Sequence, residues 1–146
     1  MSSETNKTVS RRFFEEVFSK GKLNLLDELI TTDHVNNGPG NPPELPTGIE
    51  GTKQLVTLYR NAFPDLRFTV DEQIAEGDKV VTRWTGQGTH KGELLGIPAT
   101  GKSSTVTGII IDRLVNGKIA ESWGVFDQFG MLQQLGVIPT PELASK

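Results

Sequence analysis

The stretch Lys118–Leu135, KIAESWGVFDQFGMLQQL, decides the fold. Its first half alternates with a two-residue period. Ala120, Ser122, Gly124 and Phe126 share one face, and Ile119, Glu121, Trp123, Val125 and Asp127 the other. After Asp127 the apolar spacing changes to Phe129, Leu132 and Leu135, which is helical. A strand therefore runs straight into a helix, and Asp127 stands where an aspartate caps a helix starting at Gln128.

Working back from that strand, Asn116-Gly117 is a strong type I′ hairpin signal, so Ser103–Val115 is its antiparallel partner. Gly92–Lys102 reads as a loop. Lys79–Thr89 and Leu66–Ala75 are two further strands, joined by a tight turn at Glu76-Gly77-Asp78. Helical spacing predicts a helix over Ile49–Ala62, closed by Pro64. The proline- and glycine-rich segment Thr31–Gly51 reads as a long loop, the kind that forms a lid or a rim. At the N-terminus, Val9, Phe13, Phe14, Val17 and Phe18 predict a helix from Thr8 that stops at Gly21. A second, shorter helix capped by Asn24 carries Leu25, Leu26, Leu29 and Ile30. Helices first and a run of antiparallel strands after them argue an α+β domain, with N-terminal helices packed on one face of a curved antiparallel sheet.

With 146 residues the chain reads as a single domain, 1–146, whose ordered core is 8–136. The polar ends, 1–7 and 139–146, are expected to be flexible. A net charge of −3 gives no basic footprint, so no nucleic-acid partner is expected. The absence of cysteine excludes disulfides and thiolate chemistry and fits a cytoplasmic location. No leader-like apolar segment opens the chain, and no apolar run reaches the roughly 20 residues of a membrane helix.

Three phrases carry a resemblance: RRFFEEVFSKGKLNLLDEL (Arg11–Leu29), AFPDLRFTVDEQIAEGDKVVTRWTGQGTHKGELLGIPATGK (Ala62–Lys102) and NGKIAESWGVFDQFGMLQQLG (Asn116–Gly136). With the order of elements, they resemble the SnoaL-like polyketide cyclase (ester cyclase) group of the nuclear transport factor 2-like superfamily. The resemblance implies a cone-shaped α+β roll and a homodimer packed through the outer sheet face. It also implies an interior pocket for a hydrophobic small molecule, a polyketide-like or other carbonyl compound, and chemistry without a metal or organic cofactor. Active relatives close a ring by an intramolecular aldol step. The resemblance further implies a His-Trp-Asp triplet on the last long strand, its aspartate the general acid and base. Here the triplet is Ser122-Trp123-Gly124. On the neighbouring strand the matching polar positions are Gly108 and Ile110. The inward slots are thus emptied or made apolar, which predicts a roomier and less polar pocket.

Two residues are candidates to replace the missing acid. Asp112 shares the inward parity of Gly108 and Ile110, and a carboxylate against apolar walls becomes a usable base. The competing reading puts it at the hairpin rim, paired with Arg113 or Lys118. His90, in the loop GTHKGELLG, would stand near the pocket mouth with a side chain suited to proton transfer, or else simply be solvated. Asn37 could bond a substrate carbonyl. Tyr59, Phe63, Trp84 and Phe126 would line the cavity with Gly108, Ile110, Ser122 and Gly124. His34 and His90 alone make a poor metal site, so no metal is expected. A cyclase- or isomerase-type acid–base enzyme is one reading and a non-catalytic binding or dimeric scaffold protein the other. An epoxide hydrolase-like enzyme ranks below both, since such relatives place their aspartate where Gly124 stands.

Overall fold

A computed structural model describes residues 2–139, and the tail expected to be loose lies outside that range from 140 on. Helix α1 (Ser3–Arg12) begins earlier than the apolar spacing indicates, because the Ser2 hydroxyl accepts from the Thr5 amide and caps it. Its buried face is polar at first, with Asn6 and Ser10, and so carried no hydrophobic signal. The helix continues as a π-helical segment, Phe13–Phe18, in which the Ser19 amide reaches back to the Phe14 carbonyl. Gly21, at φ +71°, ends it in the left-handed region.

The second helical stretch is short: a 3₁₀ turn, Leu23–Leu25, and then α2, Leu26–Leu29. Asn24 lies inside that turn and caps nothing. The chain then does what the sequence reading did not anticipate. Ile30–Asn37 is a strand, β1, rather than a helix end and a loop. The prolines that break regular structure start only at Pro39, and ITTDHVNN ahead of them is free to pair.

Helix α3 (Gly48–Ala62) follows, then β2 (Arg67–Glu76), β3 (Lys79–Thr89), β4 (Ser103–Val115) and β5 (Lys118–Phe126), and finally α4 (Gln128–Gln134). Asp127 caps α4 through the Gly130 amide at 2.9 Å. Asn116 and Gly117 both take positive φ, as a type I′ turn requires.

The sheet order is β1-β5-β4-β3-β2. The four strands β2–β5 pair antiparallel, as expected, while β1 adds a parallel edge on β5. N-terminal helices pack on this five-stranded curved sheet, and the core between them is apolar: Val17, Leu26, Leu29, Val56, Phe63 and Val80 are all buried. One bulge matters for the site. Leu114 pairs with Ile119 and Arg113 with Glu121, so Ala120 is an extra residue on β5. The bulge turns Ile119 inward, against the simple alternation expected of it. Among the described residues no helix is long and apolar enough to cross a membrane.

Candidate active site

Between the helices and the concave face of the sheet lies a cavity of about 140 Å³. Most of its wall is apolar, and the aromatic residues form a large part of it. The π-helical segment supplies Phe13, Phe14 and Phe18, and Phe68, Trp84 and Phe126 come from the strands and their ends. Phe68 and Trp84 meet edge to face with centroids 5.0 Å apart, and Phe18 and Phe68 are 4.9 Å apart. A cavity of about this size has room for a small aromatic molecule.

One corner of the cavity is polar. The alternation of β4 points Asp112 inward, and its side chain is only 2% exposed. The Ser122 hydroxyl, directly across on β5, donates to Asp112 Oδ1 at 2.7 Å. The Ser10 hydroxyl, from α1, donates to Oδ2 at 2.8 Å. On the other side of Ser122, His34 Nε2 lies 3.1 Å from Ser122 Oγ. Ser122 has one hydroxyl proton, and it is committed to Asp112, so the imidazole Nε2–H donates to Ser122. His34 Nδ1 faces the Thr52 hydroxyl at 3.5 Å.

No cation neutralises Asp112 among the described residues. Arg113 reaches Glu121 instead, at 3.4 Å, and Lys118 Nζ donates to the Asp27 carbonyl at 2.9 Å, so the rim pairing weighed from the sequence does not form. Burial pushes the Asp112 carboxyl up to about 6, with the two hydroxyl donors pulling the other way. Burial drives His34 in the opposite sense, down to about 4, against the pull of Glu121 and Asp33. A carboxylate in this state can accept a proton near neutral pH and give it back. Tyr59, also on the cavity wall, has its phenol pushed up to about 12 by burial, so it stays protonated.

Of the residues singled out from sequence, Asp112, Tyr59, Phe63, Trp84, Ile110, Ser122, Gly124 and Phe126 all border the cavity. Three do not. Gly108 lies beneath the Trp84 indole; a Cβ there would come within 2.3 Å of Trp84 Cζ2, so the emptied slot is filled from the neighbouring strand. Asn37 points away from the cavity and donates to Glu121 Oε2 at 3.1 Å. In a strand, His34 and Asn36 face in while Val35 and Asn37 face out, and both inward residues line the cavity. His90 is fully buried but off the cavity wall. Its Nδ1 accepts from the Thr100 amide at 3.2 Å, and its ring packs 5.4 Å from Phe63. The loop 90–102 folds back on the histidine instead of opening it to the mouth.

His34 and Asn36, with Asn41, Gln87 and Ser104 elsewhere on the wall and Ser10 beside it, are polar groups that sequence reasoning did not place at the site. The first two carry a usable signal, the alternation of TTDHVNN. Ser10 carries a weaker one, since it stands four residues before Phe14 on the same helix face.

Residues 8–135 match the profile of SnoaL-like polyketide cyclases. The aklanonic acid methyl ester cyclase of Streptomyces peucetius is 33% identical over 130 residues, covering 87% of this chain and 89% of that protein. The structure of TsrD from Streptomyces laurentii superposes with a TM-score of 0.85 at 29% identity, covering 94% of this chain and 99% of that one. IdmH from Streptomyces antibioticus gives 0.78 at 34% identity, covering 90% and 98%. With its helices on a curved sheet and its profile matched over nearly the whole length, the chain belongs to the SnoaL-like polyketide cyclase family.

Proposed function

We propose that the cavity takes a hydrophobic, polyketide-like carbonyl compound and that Asp112 transfers protons on it in a cofactor-independent cyclisation or isomerisation. The observation carrying this reading is a buried carboxylate without a counter-cation at one corner of a largely apolar cavity. In a ring closure, Asp112 takes a proton from the carbon next to a carbonyl. The resulting enolate carbon bonds to a second carbonyl carbon, whose π electron pair moves to its oxygen, and Asp112 returns the proton to that alkoxide. The family's usual acid on β5 is gone, but two groups of the same kinds stand on the strands to either side, His34 on β1 and Asp112 on β4. The test is to incubate the purified protein with aklanonic acid methyl ester and related β-dicarbonyl compounds. Conversion by the wild type and at least a 100-fold loss in Asp112→Asn supports the reading. Binding without conversion supports a non-catalytic carrier instead.

The outer face of the sheet supports a homodimer. Ile109 pairs with Val125 and Ile111 with Trp123, and all four side chains are exposed, Val125 at 56%. A contiguous apolar face of this kind is what a second copy covers. Light scattering should give twice the chain mass for the wild type and the single mass for Val125→Glu; a monomeric wild type overturns the dimer.

A further inference from the structure

His34 borders two cavities. On one side is the aromatic cavity with Asp112. On the other is a smaller one of about 60 Å³, lined by Thr47, Gly48, Gly51 and Thr52 and rimmed by Pro46 and Thr47, which are exposed. Its polar atoms and volume are enough to hold ordered water. Asp112 itself is only 2% exposed, and each of its oxygens is held by a buried hydroxyl. The hydrogen-bonded series Asp112–Ser122–His34 is therefore a continuous route from the buried carboxyl to the second cavity, with steps of 2.7 and 3.1 Å.

We infer that His34 is the proton outlet of the site, exchanging the Asp112 proton through Ser122 with water in the second cavity. The inference rests on the proposed role of Asp112 as the proton-transfer group. In the outward direction protonated Asp112 gives its proton to Ser122 Oγ, and the Ser122 hydroxyl proton passes to His34 Nε2 on a ring that carries its other proton on Nδ1. The imidazolium so formed releases the Nδ1 proton to water. The end state is a carboxylate, a serine hydroxyl donating to it and a Nε2–H imidazole, which is the arrangement observed. The low proton affinity of His34 suits it to pass a proton on and not to keep one. The charges acting on the ring are Asp33 and Glu121, and Glu121 is itself held by Arg113 and Asn37. A ring closure returns its proton to the product, so the outlet's work is to reset an Asp112 that has been protonated without reacting.

The test needs no substrate. After a rapid pH jump from 7.5 to 5, time-resolved infrared absorption reads the protonated carboxyl of Asp112, assigned by its loss in Asp112→Asn. His34→Gln keeps an N–H for Ser122 but cannot pass a proton. It is expected to leave the final amplitude near the wild-type value while slowing its appearance at least tenfold. Ser122→Ala should slow it comparably, and Ser122→Thr should restore the wild-type rate. Equal rates in wild type and His34→Gln overturn the outlet, as does the absence of any Asp112 signal. A normal outlet in a protein that converts no dicarbonyl compound would remove the catalytic reading and leave the proton path standing.

Discussion

At one end of the cavity Asp112, Ser122, Ser10 and His34 are joined by hydrogen bonds of 2.7 to 3.1 Å. At the other, Phe14, Phe18, Phe68 and Trp84 meet ring to ring at 4.9 to 5.9 Å. The first region is directional: Asp112 and Ser122 each bond two partners at set angles, and losing any member leaves another buried and unpaired. The second depends on volume and contact, and it stabilises the fold by burying area. The polar corner therefore costs stability in order to hold a charge, and the aromatic wall supplies the stability that permits it.

The largest expected effect breaks the polar end. Asp112→Asn should lower ring-closing activity by 100- to 10,000-fold, on the order of a lost general acid–base group. The same change should stabilise the folded chain at pH 7. An Asp ordinarily near 3.8 is raised to about 6, a difference worth up to about 3 kcal/mol against the charged form. A urea midpoint that drops in the variant would show that the two serine bonds outweigh burial.

Next comes the aromatic end. Gly108→Ala places a methyl group 2.3 Å from Trp84 Cζ2 and 2.8 Å from the Val125 carbonyl, so the indole must leave its seat. We expect a loss of about 1–3 kcal/mol, typical of overpacking, with blue-shifted or broadened tryptophan fluorescence. A change below about 0.5 kcal/mol would mean the wall is looser than its ring contacts imply. Gly124→Ala is the contrast. Its Cβ would meet Ile110 at an ordinary 3.5 Å, so stability should stay within about 0.5 kcal/mol.

The pH dependence of stability separates the two titrating groups of the corner. Folded Asp112 holds its proton more tightly than the unfolded chain does, so its contribution is greatest in acid and falls as pH rises from about 3.8 to about 6. Folded His34 holds its proton less tightly, so its contribution is complete above 6.5 and is lost as pH falls toward about 4. Between 4 and 6 the two slopes oppose. Wild type should be nearly flat there, His34→Gln should lose stability with rising pH, and Asp112→Asn should gain it, each by at most about 1.4 kcal/mol per pH unit. Parallel profiles in all three proteins would mean that neither group is buried as described.

What the sequence made legible follows from the range of the forces involved. Strands β2–β5 and their turns were readable because alternation and Asn116-Gly117 act within a few residues. Asp112 was readable by the same alternation, counted along β4 from Gly108. Gly108 itself was misread as open space, because the ring that fills it comes from Trp84 on the next strand and no local pattern announces that. Strand β1 was hidden by the prolines that follow it, and His34 and Asn36 were hidden with it. His90 looked exposed because a loop that folds back over its own start leaves no periodic trace.

The parallel pairing of β1 with β5 also bears on the order in which the molecule is assembled. Strands β2–β5 can zip up through near neighbours, but Ile30 must find Ile119, and the corner is tied by contacts spanning 88 residues from His34 to Ser122 and 102 from Ser10 to Asp112. Contacts that close such long loops form late in folding. Mutations at His34 and Ser10 should accordingly speed unfolding and leave the folding rate nearly unchanged, whereas changes in the β3–β4 hairpin should slow folding. The charge-holding corner is then the last part of the chain to exist, and Asp112 is not buried until the sheet that carries it is already built.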